Sequence, residues 1–388
     1  MFLGSDSDGG GRVFLRFAMT GSAPRETLID MVKGLACIAI VWHHLAFYGP
    51  MSDIALPLFP NLIDWLYDYG RMAVQVFLVL GGYLAAKSLA PHGWARFDHA
   101  WPQIGRRFIR LVIPYLVALT IAILIAALVR PWFDHDSVPS EPRWPQLVAH
   151  ALLLQSLLDE ESISAGVWYV AIDFQLFLYS VLIFSGVRVL PRLSREQAAI
   201  FGKLLIVLGV ALSLVVFNRQ SELDDWGIYF FGAYGLGMMA CWAVQSQRPS
   251  LWVVLIASLG GLALVVDFRE RIFLALMTSL GLVWALRSRW QPGAGAIATQ
   301  LQRLGQCSYS VFLVHFPVCL LVNAVFHHFW PQDEVVNAAG MVLAFVLSIG
   351  AGRLMYQWVK QPAPKWGHAA SWQAGLIGTG MLLVWVDV

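Results

Sequence analysis

Charge is what this sequence has least of. Asp, Glu, Lys and Arg make up only 13% of its 388 residues, about half the share typical of soluble domains. A soluble protein of this length could not cover its surface with so few. Cysteine is scarce too: Cys37, Cys241, Cys307 and Cys319 show no metal-ligand spacing, so no metal is expected and the four read as small hydrophobes. The first 19 residues are rich in Gly, Asp and Ser and lack a sustained apolar core, which excludes a secretory signal. Residues 1–25 read as a disordered tail, or in part as an extension ahead of a start at Met19. There is no tandem repeat, no low-complexity linker and no stretch polar enough for a soluble domain.

What is present is apolar length. Hydrophobic residues reach 58%, with 17 Trp, and runs of about 20 apolar residues recur along the chain. The fold class is therefore an all-α polytopic membrane protein, a bundle of 10–11 spans. Apolar length and bounding charge place ten of them at 28–48, 72–89, 111–130, 166–187, 201–217, 226–246, 251–267, 272–287, 305–328 and 336–359. An eleventh candidate, 371–388, makes 361–388 an additional C-terminal membrane segment that spans, re-enters or lies at the interface. The segment 145–158 is too short to cross and reads as an interfacial helix. Lys and Arg gather on one side, Arg106, Arg107, Arg110, Arg188, Arg192 and Arg195 among them, and acids such as Asp134, Asp136, Glu141 and Glu160 on the other. By the positive-inside rule the N-terminus is cytoplasmic. The net charge of +2 reflects this topology and implies no nucleic acid.

Ionisable groups inside spans mark sites by default. The first span carries Asp30, Lys33, His43 and His44. Eleven helical steps bring Lys33 and His44 to within about 20° of one face, about 16 Å apart, while His43 points about 100° away. A snorkelling lysine and one interfacial histidine would account for part of this pattern, but poorly for both histidines. In the fourth span, Trp168 and Tyr169 read as an aromatic belt, but Asp173 and Gln175 lie deeper, and counting from the outer span ends puts Asp173 level with His44. A carboxylate beside an imidazole would orient it as a general base. Before the third span, Arg107 and Arg110 share a helix face with Arg106 alongside, a set suited to phosphate and equally to a topological anchor. His315, about ten residues into the ninth span, is a weaker candidate because a lone mid-span histidine often serves helix packing.

Together these segments resemble the acyltransferase-3 family of integral-membrane acyltransferases. "LIDMVKGLACIAIVWHH" is similar to the family's Asp-x-x-Arg-[Gly/Ala]-[Leu/Ile]-Ala opening, with His44 in the histidine register. "GRMAVQVFLVLGGYLAAKSL", with Tyr83, resembles its second span. Arg107-x-x-Arg110 before Pro114 matches its basic motif, "VWYVAIDFQLFLY" its fourth-span segment, and "LGQCSYSVFLVHFPV" its C-terminal His-x-Pro signature. The resemblance covers about residues 25–360 and delimits a membrane acyltransferase domain at 26–360. Lys33 stands where the family has Arg, Asp173 where it has Glu, Gln75 where Asp is common and Gly81 where Ser is common.

The resemblance implies transfer of an acyl group, acetyl by default, from cytoplasmic acyl-CoA to a hydroxyl of an outward-facing glycan or lipid-linked sugar. No cofactor is bound; acyl-CoA (acetyl-CoA) is the donor substrate, and the lipid bilayer and the glycan are the partners. The location implied is the bacterial inner (cytoplasmic) membrane. The catalytic set is His44, Asp173 and Lys33, with His44 either deprotonating the acceptor or carrying the acyl group. Arg106, Arg107 and Arg110 hold the coenzyme A phosphates. Asp30, Tyr83, Trp168, Tyr169, Gln175 and His315 support the acceptor side. The rival from another class is a transporter or flippase of a lipid-linked sugar, which the absence of paired broken helices disfavours.

Overall fold

A computed structural model describes residues 24–288, 293 and 295–386, so the expected tail lies, up to residue 23, outside the described residues. Among these there is no strand, and most of them are helical. In order the helices are α1 (Pro24–Phe47), α2 (Pro50–Ala55), α3 (Pro60–Tyr69), α4 (Ala73–Leu89), α5 (Ala100–Val129), α6 (Trp144–Ala151) and α7 (Trp168–Val189). They continue as α8 (Arg195–Val215), α9 (Gly227–Gln245), α10 (Pro249–Val266), α11 (Glu270–Arg287), α12 (Ala296–Phe329), α13 (Glu334–Met355) and α14 (Trp366–Val386).

Nine elements among the described residues are long and apolar enough to cross a membrane, which makes this an integral membrane protein. Two expected spans fall outside the nine. The expected span 272–287 is α11, whose ends carry Glu270, Arg271 and Arg287, so its uncharged stretch is too short by itself. It still packs in the bundle against α4, α9 and α10. The C-terminal α14 leans on α5 and on α6. The interfacial segment is a helix only over Trp144–Ala151, followed by a 3-10 turn at Ser156–Leu158. Helices α2 and α3 were not legible in the sequence; Pro50 and Pro60 start them at N1/N2, where a missing N–H costs nothing.

Burial sorts the helices. Nearly every residue of α9 is buried, whereas α10 buries only Ile256, Gly260 and Ala263 and turns Leu251, Val254, Leu262 and Val265 outward, as a lipid-facing helix should. Close crossings rest on glycine. A Cβ on Gly34 would collide with the Leu301 carbonyl of α12, and one on Gly305 with the Asp30 carbonyl of α1. The two backbones therefore touch, as small residues allow in membrane helices. This contact sets the register of α1 against α12: Cys37 Sγ reaches the Ser308 carbonyl, and His44 meets His315. Both histidines stand ten residues beyond the touching glycines.

Candidate active site

Two cavities open into the bundle and meet at a wall formed by Val74, Tyr169 and Phe312, which border both. One, of about 690 Å³, lies toward the C-terminal end of α1 and is bordered by His43, His44, Tyr48, Gln75, Trp168 and Tyr229. The other, of about 420 Å³, lies toward the N-terminal end of α1 and is bordered by Asp30, Lys33, Arg107, Arg110, Asp173 and Lys360. Tyr169 and Phe312 meet edge to face at 5.6 Å in the wall.

In the first cavity, His44 Nδ1 lies 2.5 Å from His315 Nε2, with the rings stacked at 4.7 Å. His315 Nδ1 lies 2.6 Å from the Phe312 carbonyl. A carbonyl only accepts, so Nδ1 of His315 carries the proton, and in the neutral ring its Nε2 carries a lone pair. His44 Nδ1–H must then donate to that lone pair. The consequence is that Nε2 of His44 keeps a free lone pair, the form a base or nucleophile needs. Pro317 shapes this stretch by lacking the N–H that would bond Leu313. His43 is tied differently: its Nδ1 donates to the Leu66 carbonyl of α3 at 2.9 Å.

The loop from 159 to 166 closes this cavity and is fastened to α6. Arg143 pairs with Glu160 at 2.9 Å, Gln146 Nε2 donates to the Glu161 carbonyl at 2.8 Å, and the Ile163 N–H donates to His150 Nε2 at 3.3 Å. His150 Nδ1 in turn donates to the Gln146 carbonyl at 2.8 Å. Burial pushes this imidazole down to about 4; with both nitrogens engaged, the neutral ring is the form that fits. Gly166 follows at φ +75, a left-handed conformation suited to glycine. Any side chain there would press on Phe312 and His44.

In the second cavity the carboxylates are paired with cations. Arg107 holds Asp173 at 2.5 Å and lies over the Phe177 ring at 5.2 Å, and Lys33 meets Asp30 at 3.2 Å. This corrects the expected contact between Asp173 and His44. Tyr169 and Asp173 are i and i+4 on α7, so Asp173 lies one turn beyond the wall, facing α5. Equal depth counted from span ends fixes no azimuth, and the guanidinium of Arg107 is the nearer partner. Lys33 likewise belongs to this cavity and not to the histidine pair.

Other expected residues divide. Trp168 borders the histidine cavity and Tyr169 both cavities. Arg106 is exposed and borders neither. Tyr83 is buried in the core and borders neither. Gln175 receives Gly227 N–H at 2.8 Å and Tyr179 OH at 3.2 Å; it clips α7 to the start of α9. Sequence reasoning overlooked Tyr309 and Lys360 in the basic cavity. It also missed Arg71 and Arg271 at the mouth of the other. Tyr309 stood in the quoted C-terminal signature, whereas the three basic residues read only as span boundaries.

The bundle thus buries an imidazole pair on one side of a wall and sets Lys33, Arg107, Arg110 and Lys360 around the cavity on the other. The acyltransferase-3 family, described as an acyltransferase domain, matches residues 27–356, and the chain belongs to it. It is accordingly an enzyme that transfers acyl groups. It is also similar to the acyltransferase MdmB of Streptomyces mycarofaciens, at 25% identity over 380 residues, covering 87% of this chain and 92% of that one. No solved structure matches it.

Proposed function

We propose that the protein moves an acyl group, acetyl by default, from cytoplasmic acyl-CoA to a hydroxyl of an outward-facing glycan or lipid-linked sugar. In this reading the N-terminus of α1 faces the cytoplasm of a bacterial inner membrane. The basic cavity takes the donor and the histidine cavity takes the acceptor. The observation that carries the reading is the shared wall of Val74, Tyr169 and Phe312, with His44 on one side and Lys33, Arg107, Arg110 and Lys360 on the other.

The chemistry follows from the free lone pair. His44 Nε2 accepts the acceptor's hydroxyl proton as its oxygen attacks the thioester carbonyl. The C–S bond breaks, a C–O bond forms, and the coenzyme A sulfur leaves with the proton returned from His44. The positive charge that His44 bears in between is shared through Nδ1–H with the His315 lone pair. Arg107 and Arg110 supply guanidinium groups for phosphate. The aromatic lining of Tyr48, Trp168, Tyr229 and Phe230 suits the apolar face of a sugar ring.

The test is turnover by purified protein in nanodiscs. Release of free coenzyme A from acetyl-CoA, dependent on an added hydroxyl acceptor, is expected. Acceptor movement across sealed vesicles without any thioester cleavage would instead favour the transporter reading.

A further inference from the structure

Among the described residues, Lys360 is the one bordering the basic cavity that lies beyond the family match, which ends at residue 356. It closes a π-helical turn, Tyr356–Lys360, in which the Gln361 N–H bonds the Tyr356 carbonyl at 2.8 Å. Such turns are rare and concentrate at functional sites. The turn packs against α5, which bears Arg107 and Arg110, and against α12, which bears Tyr309. Lys360 Nζ sits 4.9 Å from the Tyr309 ring centroid and 5.8 Å from that of Tyr356. Lys33, Arg107 and Arg110, all of its own sign, border the same cavity, together with the carboxylates Asp30 and Asp173.

The charge arrangement of this cavity is unbalanced. Its carboxylates are both engaged, Asp30 by Lys33 and Asp173 by Arg107. Among the described residues, Arg110 and Lys360 have no carboxylate partner. A lysine that only snorkelled would extend to water, away from like charges. Lys360 instead stands between two aromatic rings at the edge of a chamber that already holds three cations. That arrangement is favourable when an anion sits among them.

We infer that Lys360, together with Arg110, forms an anion subsite that takes a phosphoryl group of a phosphorylated thioester donor. The inference rests on the donor reading given above and adds to it a residue outside the family's matched segment. Lys360 binds as a point charge and tolerates more than one phosphate geometry, whereas Arg110 offers a planar fork.

Steady-state kinetics with purified protein in nanodiscs test it, using acetyl-CoA, acetyl-dephospho-CoA and acetyl-pantetheine as donors. Lys360→Ala should raise KM for acetyl-CoA on the order of tenfold with kcat little changed, because a charge contact far from the reacting carbon is uniform binding. Lys360→Arg should stay near wild type, which separates charge from folding. With acetyl-pantetheine, which carries no phosphate, wild type and Lys360→Ala should be alike. A deficit kept with acetyl-dephospho-CoA assigns Lys360 to the diphosphate, and one lost there assigns it to the 3′-phosphate. Equal KM values for wild type and Lys360→Ala with acetyl-CoA, or an equal deficit with acetyl-pantetheine, would overturn the subsite. A wild-type protein that does not cleave acetyl-CoA would overturn the donor reading and the subsite together.

Discussion

The two cavities meet at one wall yet manage polarity in opposite ways. In the basic chamber, fixed charges are present in number, and each carboxylate is held by a cation: Asp30 by Lys33, Asp173 by Arg107. In the histidine chamber, the groups nearest the wall are neutral rings that satisfy each other, His44 on His315 and His315 on Phe312. An ion deep in a span is costly unless paired. A carboxylate beside His44 would orient the ring at the cost of a charge there; a second imidazole orients it without one. Charged residues border both chambers, Arg71, Arg269, Glu270 and Arg271 in the histidine chamber among them. The difference the comparison teaches lies beside the wall, where one side has a carboxylate paired with a cation and the other an imidazole that, in the proposed reading, holds a proton for a moment.

The sharpest way to break this contrast is to remove the proposed proton acceptor. His44→Ala should lower kcat by roughly 10²–10⁴-fold, the usual range for a general base, while coenzyme A binding stays intact because the basic chamber is untouched. Titration of coenzyme A into the variant alongside a turnover assay checks both halves. Equal loss of binding and turnover would mean that the two chambers are one site.

His315 comes next. It bonds His44 and borders neither cavity, so in the proposed reading it positions the base, and His315→Ala should cost less than His44→Ala, on the order of 10²-fold at most. The effect should fall on kcat, not on donor KM. Gln at this position can present an oxygen to His44 Nδ1–H, and His315→Gln should recover part of the loss. If Gln is no better than Ala, orientation through that hydrogen bond is not what His315 provides.

How much of this was legible beforehand depends on whether a feature is local. Apolar length and the two quoted motifs around Gly34 and Gly305 are local, so the helical bundle and the family could be read directly. The same motifs hold the touching glycines that set α1 against α12, yet the pairing of His44 with His315 is a register between helices 271 residues apart in the chain. Asp173 was placed at a credible depth but given the wrong partner, because azimuth depends on packing that no periodicity encodes. Lys360 looked like any basic residue at a span end; its direction comes from a π turn and two tyrosines.

A smaller effect should appear outside the spans, where His150 fastens the loop that closes the histidine chamber. Its folded pKa, pushed by burial to about 4, lies below the ordinary 6.5. The sign follows: the neutral ring stabilises the fold fully above about pH 6.5, and the contribution is lost as pH falls toward about 4. The full difference amounts to about 3 kcal/mol. Melting temperature followed from pH 7 to pH 4.5 should fall more steeply for wild type than for His150→Gln. Parallel curves would mean that the loop is held by Arg143 and Gln146 alone.

The smallest effect is expected one residue from the largest. His43 and His44 are adjacent, their rings 5.1 Å apart, and both border the same chamber. Their hydrogen bonds differ: His43 Nδ1 is spent on the Leu66 carbonyl, which ties α1 to α3, whereas His44 is oriented by a second imidazole. Losing the His43 bond should cost about 1 kcal/mol of stability, and turnover by His43→Ala should stay within a few-fold of wild type. His43→Gln can still donate toward Leu66 and should restore the melting temperature. A His43→Ala protein with unchanged melting temperature and no turnover would reverse the assignment, since the base would then be the histidine that α3 holds.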